Sequence, residues 1–153
     1  MRIYLACTVR GDRGTISAAR HIHDRLVELG HDVLTSHLLR DDVDAVERNV
    51  GNRDVFLRDL AWLESADVVV AEASGSTFGV GFEVGYILGR AATTGQRAYV
   101  LYQADRRDTV SRMISGLSHA QGAVLGYTTL AEIDAFLDIH LSGNGLPPRG
   151  HGR

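Results

Sequence analysis

The segment Asp67-Val68-Val69-Val70-Ala71-Glu72 constrains this chain more than any other. Four apolar residues follow one another with no polar alternate, and three are β-branched, so both faces of such a strand need cover. A strand covered on both faces belongs inside a parallel sheet flanked by helices. The remaining sequence supplies those parts. Ile3-Tyr4-Leu5-Ala6 is a second buried strand, running into the loop Thr8-Val9-Arg10-Gly11-Asp12-Arg13-Gly14. Ile16, Ala19, Ile22, Leu26 and Leu29 step by three and four, the face of a helix that Gly30 is suited to end. Asp32 to Thr35 reads as a strand, and the polar, acidic residues 38–52 as a long loop with some helix.

A helix is expected from Asp54 to Ser65, with Phe56, Leu60 and Leu63 on one face and Val55, Asp59 and Trp62 on a neighbouring one. Small residues at 73–77 lead into a helix from Gly79 to Thr93. Strands at Ala98–Leu101 and Ala123–Leu125 are separated by a short helix over 109–117, and Thr129 with Glu132 forms a capping box for a last helix. This alternation predicts an α/β fold, a single doubly wound five-stranded parallel sheet of flavodoxin- or Rossmann-like kind, in the order 2-1-3-4-5. Such sheets bind ligands beyond the carboxyl ends of strands one and three, where the winding reverses. The loops 8–14 and 73–81 fall there.

Composition narrows the chemistry. All sixteen basic residues are arginine, so no P-loop lysine, lysine Schiff base or Ser-Lys dyad is available. A single cysteine, Cys7, excludes an internal disulfide framework and a multi-cysteine zinc site. The net charge of -3, with no basic stripe, argues against nucleic acid as a partner. No apolar run approaches a bilayer span, and the first residues read as a strand rather than a leader, so a cytoplasmic chain with no membrane partner is expected. One domain should cover 1–141. Residues 142–153, with four glycines and both prolines, read as a disordered tail.

Gly79-Val80-Gly81-Phe82-Glu83-Val84-Gly85 fails as a dinucleotide fingerprint, because its third glycine comes one residue late and it follows the third strand. What remains is a turn carrying the Ser76 and Thr77 hydroxyls, which feeds a helix start through Gly79 and Gly81. Free N–H groups there suit a phosphate, or else the hydroxyls only cap a tightly packed helix. Glu83, among Phe82, Val84, Tyr86 and Ile87, reads as a nucleophile or base, or as a carboxylate that steadies the helix start. Asp59 reads as a second carboxylate of the site or as the partner of Arg58 on a surface helix. Asp67 and Glu72 suit capping or turn roles. Arg10 reads as a phosphate fork or as an exposed arginine, and His37 as facing the pocket or turned from it. The remaining histidines have no metal-binding spacing, so neither a metal nor a cofactor is expected.

Tyr4-Leu5-Ala6-Cys7-Thr8-Val9-Arg10-Gly11, Leu34-Thr35-Ser36-His37, Asp59-Leu60-Ala61-Trp62-Leu63, Ala66 through Glu72, Thr77 through Gly85 and Val110-Ser111-Arg112-Met113-Ile114 together resemble the 2'-deoxynucleoside 5'-phosphate N-hydrolases of the nucleoside 2-deoxyribosyltransferase superfamily. The resemblance implies an N-glycosidase that splits nucleoside monophosphates into free base and deoxyribose 5-phosphate. It assigns Glu83 as the nucleophile of a two-step retaining reaction, Asp59 as the carboxylate that handles the leaving base's proton, and Tyr4 as the residue disfavouring a 2'-hydroxyl. Thr8, Val9, Arg10, Gly11, Thr77 and Gly79 match the phosphate cradle, and His37 and Val55 fall in the base-facing region. Ser111 matches a serine that reaches the site of the neighbouring subunit, which implies a homodimer. Thr77 departs from the serine usual there. A deoxyribosyltransferase acting on a second base and a non-catalytic nucleotide sensor are the alternatives.

Overall fold

A computed structural model describes residues 1–143 of the chain. It consists of β1 (Arg2–Ala6), α1 (Ile16–Glu28), β2 (Asp32–Val33), α2 (Val43–Glu47), α3 (Asn52–Ser65), β3 (Val68–Glu72), α4 (Phe78–Thr94), β4 (Arg97–Gln103), α5 (Arg112–Ser115), β5 (Gly122–Tyr127) and α6 (Leu130–Leu141). All five strands are parallel, in the order 2-1-3-4-5. The tail expected from Ser142 lies outside the described residues apart from Ser142 and Gly143. Among the described residues no helix is long and apolar enough to cross a membrane.

The alternation of side chains along each strand divides the core into two layers. Ile3, Leu5, Val68, Val70 and Leu101 point to one face, where α1 supplies Ile22 and Leu26 and α6 supplies Ile133, Leu137 and Leu141. Tyr4, Ala6, Val69, Ala71 and Val100 point to the other, under Leu63 of α3 and Val80, Val84 and Ile87 of α4. Tyr4 pairs in register with Val69, so its ring emerges on the α3/α4 face of the sheet, near its centre. That register is what later brings its hydroxyl to a carboxylate of α4.

Two elements differ from their sequence reading, and the stretch read as a loop with some helix does hold a short helix. β2 holds two residues instead of four, because the Thr35 side chain takes over the pairing: Leu5 N–H donates to Thr35 Oγ1 at 2.9 Å, and Oγ1 donates to Leu5 O at 2.7 Å. The expected 38–52 loop contains a 3-10 turn at Ser36–Leu39 and then α2. Arginines of the first half of the chain hold it in place, Arg13 through Leu38 O and Arg40 O and Arg20 through Leu39 O. The helix read over 109–117 shrinks to four residues, capped by Ser111. Of the face read as Phe56, Leu60 and Leu63, Leu63 is buried while Phe56 is half exposed, its ring tilted beside that of Phe82.

Candidate active site

The loops after β1 and β3 meet at the carboxyl edge of the sheet. Gly11 turns the first at φ 117, a conformation that favours glycine. Gly75 allows the second to lie against it, since a Cβ at Gly75 would sit 2.1 Å from Thr8 Oγ1 and 2.7 Å from the Asp12 carbonyl oxygen. Glu72, at the end of β3, ties the floor of this junction together. Its buried carboxylate accepts from Thr15 Oγ1 at 2.6 Å, from Tyr127 Oη at 3.0 Å and from the Ser74 hydroxyl. Above that floor α4 begins. Its N-cap Thr77 is extended and makes no side-chain cap, so the first N–H groups of α4 and the Thr77 hydroxyl remain available. Thr8 Oγ1 is buried there without a hydrogen-bond partner among the described residues. A helix start with free donors beside an unsatisfied hydroxyl is suited to an anion.

One turn into α4, Glu83 accepts a hydrogen bond from the buried Tyr4 hydroxyl at 2.7 Å. Burial pushes the Glu83 carboxyl up to about 7; the Tyr4 bond opposes this and the charge of Asp59 adds to it. Burial and then the Glu83 charge push the Tyr4 phenol above its ordinary range, so it stays a donor. Asp59 comes from α3, where Arg58 Nε donates to its Oδ1 at 2.9 Å. The two Nη groups of Arg58 donate to Glu47 Oε1 and Oε2 at 3.0 and 3.3 Å, and its guanidinium lies 5.0 Å from the Trp62 ring centroid.

These groups line a cavity of about 300 Å³, the small end of the range for ligand sites. Of the residues singled out from sequence, Val9, Arg10, Val55, Asp59, Thr77, Gly79 and Glu83 line it. Arg10 stands at its rim, paired with Asp44 at 3.3 Å. Thr8, Gly11 and Tyr4 are not on the lining; Thr8 and Tyr4 are buried, and Tyr4 meets the cavity only through its bond to Glu83. His37 is not on the lining. Its ring packs on Trp62 at 5.2 Å, and its Nε2 is buried 3.6 Å from Glu47 Oε1. Desolvation and then the Arg58 charge hold that imidazole below its ordinary pKa. Ser76, Gly81 and Ser111 line a second, adjoining cleft of about 610 Å³ together with Phe78, Phe82 and Met113; Thr77 borders both. Ser111 also caps α5, accepting from Met113 N–H at 3.3 Å.

Glu47 and Arg58 are the wall residues that sequence reasoning missed. Glu47 sits in an acidic stretch that reads as a solvated loop, and only its spacing of four from the buried Val43 hints that it faces inward. Cys7 also touches the cavity, but burial pushes its thiol up to about 12, which leaves no thiolate for chemistry near neutrality.

With this geometry in hand, comparison with known proteins is informative. The sequence profile of the nucleoside 2-deoxyribosyltransferase family matches residues 3–144. A Thermofilum pendens protein provisionally named 2'-deoxynucleoside 5'-phosphate N-hydrolase 1 is 39% identical over 144 residues, covering 94% of this chain and 97% of its own length. The human 5-hydroxymethyl-dUMP N-hydrolase is 32% identical over 148 residues, 95% of this chain and 81% of its own. A solved structure of the Clostridium botulinum CMP N-glycosidase superposes with a TM-score of 0.63 at 17% identity, covering 92% of this chain and all of that one, and so shares the fold. The chain therefore belongs to the nucleoside 2-deoxyribosyltransferase family, alongside its 2'-deoxynucleoside 5'-phosphate N-hydrolases.

Proposed function

We propose that the protein hydrolyses the N-glycosidic bond of 2'-deoxynucleoside 5'-monophosphates, releasing free base and deoxyribose 5-phosphate. The observation that carries this reading is the Tyr4–Glu83 contact of 2.7 Å in the cavity wall, with Asp59 beside it and a helix start with free donors at the other end. The 5'-phosphate binds at the start of α4, to its N–H groups and the Thr77 hydroxyl, with Arg10 closing from the rim. This places the sugar over Tyr4 and Glu83.

Glu83 as carboxylate attacks C1', forming an ester bond while the C1'–N bond breaks and its electron pair goes to the base. Asp59 gives the base its proton, a contribution of about 10²–10⁴-fold in comparable reactions. Water then opens the ester, its hydroxyl passing to C1' and its proton returning to the carboxylate pair. This is the two-step retaining scheme of glycosidases. Tyr4 sits beneath the sugar site, bonded to Glu83, and in this reading disfavours a 2'-hydroxyl. Arg10, Thr8, Val9 and Gly11 form the phosphate side, and Val55 faces the base.

The working unit in this reading is a homodimer in which Ser111 serves the neighbouring site. Support comes from α4, where Gly85 and Gly89 are exposed, Gly81 is partly exposed, and a Cβ at any of the three would meet nothing within 4 Å. Glycine weakens a helix by about 1 kcal/mol per residue, so three in line with no intrachain contact suit the close approach of another helix. Phe78 is fully exposed and Met113 is 85% exposed at the edge of the same face. The reading also places the protein in the cytoplasm, where nucleotides are found, as one domain ending with α6.

Incubation with each ribo- and deoxyribonucleoside monophosphate, followed by chromatography, tests the proposal. Free base together with deoxyribose 5-phosphate is the expected result. The family's other chemistry, transfer of the sugar to a second base, would show as exchange products outrunning deoxyribose 5-phosphate when an acceptor base is supplied.

A further inference from the structure

We propose that Glu47 is a positioning residue acting on Asp59 through Arg58: by binding both Nη groups it keeps the guanidinium charge from falling wholly on Asp59, which leaves Asp59 able to carry the leaving base's proton. The inference rests on the glycosidase reading above. Its geometry is a single guanidinium held between two carboxylates. Nε donates to Asp59 Oδ1 at 2.9 Å, while Nη1 and Nη2 reach Glu47 Oε1 and Oε2 at 3.0 and 3.3 Å. Asp59 Oδ2 makes no hydrogen bond among the described residues, so the Arg58 contact fixes one oxygen and leaves the other for the base.

The groups facing Asp59 are few. Glu83 and Tyr4 lie on the α4 and β1 side, Arg58 on its own helix, Glu47 on α2, and His37 behind Glu47 with Nε2 at 3.6 Å. The Glu47 side chain is 8% exposed. A carboxylate buried so far is costly unless paired, and removing one partner strands the other charge. Arg58 already has an acidic partner in Asp59, so a second buried acid is not needed to neutralise it. A second acid does free Asp59. In the first step the C1'–O bond to Glu83 forms, the C1'–N bond breaks, and the Asp59 proton moves to the base. With Asp59 as its only counter-charge, the guanidinium would hold that carboxylate in a full ion pair and away from the base.

The test compares two substrates with wild-type, Glu47→Gln, Glu47→Asp and Glu47→Gln/Arg58→Gln proteins. One substrate is 2'-deoxyguanosine 5'-monophosphate. The other is its N7-methyl derivative, whose base already carries a positive charge and departs neutral without a proton. Glu47→Gln should lower kcat on the first by about 100-fold and on the second by about threefold or less, with KM little moved, as loss of a proton donor predicts. Glu47→Asp should restore part of the loss. The double variant, in which no guanidinium charge falls on Asp59 while an amide donor remains at position 58, should turn over the first substrate at least about tenfold faster than Glu47→Gln.

Equal losses on both substrates, a loss confined to KM, or a double variant no better than the single one would overturn the inference. If Glu47→Gln does not fold, the other two variants carry the test. Glu47→Asp should lose more on the first substrate than on the second, and the double variant should keep the first within about tenfold of wild type. Equal losses in Glu47→Asp, or a larger loss in the double variant, overturn the proposal. Wild-type protein that releases base from neither substrate overturns the glycosidase reading itself.

Discussion

Glu83 illustrates how one side chain answers to two demands. It sits between the Tyr4 donor, which favours its charged form, and a desolvating wall with Asp59 beside it, which disfavours that form. The wall prevails and the group is pushed up to about 7. If Glu83 is the nucleophile proposed above it must be ionised, so kcat/KM should rise with pH through about 7, and a pH–rate profile reads this directly. Stability runs the other way. The folded value lies above the unfolded one of about 4.3, so the folded state binds the extra proton between them and loses stability as pH rises through about 7. Glu83→Gln should therefore abolish base release while raising stability at pH 8 by up to about 3 kcal/mol and changing it little at pH 4, as thermal unfolding at the two pH values will show. Tyr4→Phe removes the opposing bond, so the acid limb of the profile should move above 7, and turnover of ribonucleotides should rise relative to deoxyribonucleotides. An unmoved limb would separate Tyr4 from Glu83, and an unchanged ratio would remove it from sugar selection.

In the proposed reading the phosphate end depends on the junction of the β1 and β3 loops rather than on either loop alone. Gly75 permits the contact, and Glu72 braces it from three directions through Thr15, Ser74 and Tyr127. Gly75→Ala forces a methyl group into Thr8 Oγ1 and the Asp12 carbonyl, so one loop must move. The expected cost is about 1–3 kcal/mol in stability. Nucleotide affinity measured by calorimetry should fall at least about tenfold, since a shift of about 1 Å at a positioning group is felt strongly. Normal affinity in a folded Gly75→Ala protein would mean the phosphate binds elsewhere. The sequence marked these loops correctly by their place at the ends of strands one and three. It gave no sign of Glu72 as a brace, because three hydroxyls from residues 15, 74 and 127 converge only once the sheet is assembled.

At the scale of the whole molecule, the α4 face with Phe78, Phe82 and the glycine line has too little to do in a single chain. Gly85→Leu separates the two roles this face could have. In an isolated chain the change improves helix propensity by about 0.8 kcal/mol and meets open space. In a dimer packed through α4 it blocks the approach. Sedimentation should show monomers that retain or gain thermal stability and lose turnover. A Gly85→Leu protein that is still dimeric and active would move the interface off this face. If Ser111 serves the partner's site, mixing inactive Glu83→Gln and Ser111→Ala proteins should restore turnover above that of either.

The parallel sheet and its strand order were legible because apolar runs alternate with stretches of helical period, a pattern that suits a doubly wound sheet. Tyr4, Asp59 and Glu83 could be named from their motifs, and the loops at 8–14 and 73–81 from topology. Other features were decided by contacts between residues distant in sequence. The Thr35 hydroxyl shortened β2 by capturing Leu5, and Arg13 and Arg20 pinned the stretch read as a loop. Arg58 joined Asp59 to Glu47 across eleven residues, and His37 turned behind that pair instead of into the cavity. The sequence alone determined the frame, through the alternation of strand and helix periods, and its family resemblance picked out the two carboxylates that periodicity left open. The wall around those carboxylates was settled by tertiary structure, because burial, charge pairing and the unsatisfied Thr8 hydroxyl exist only when separate elements close on one another.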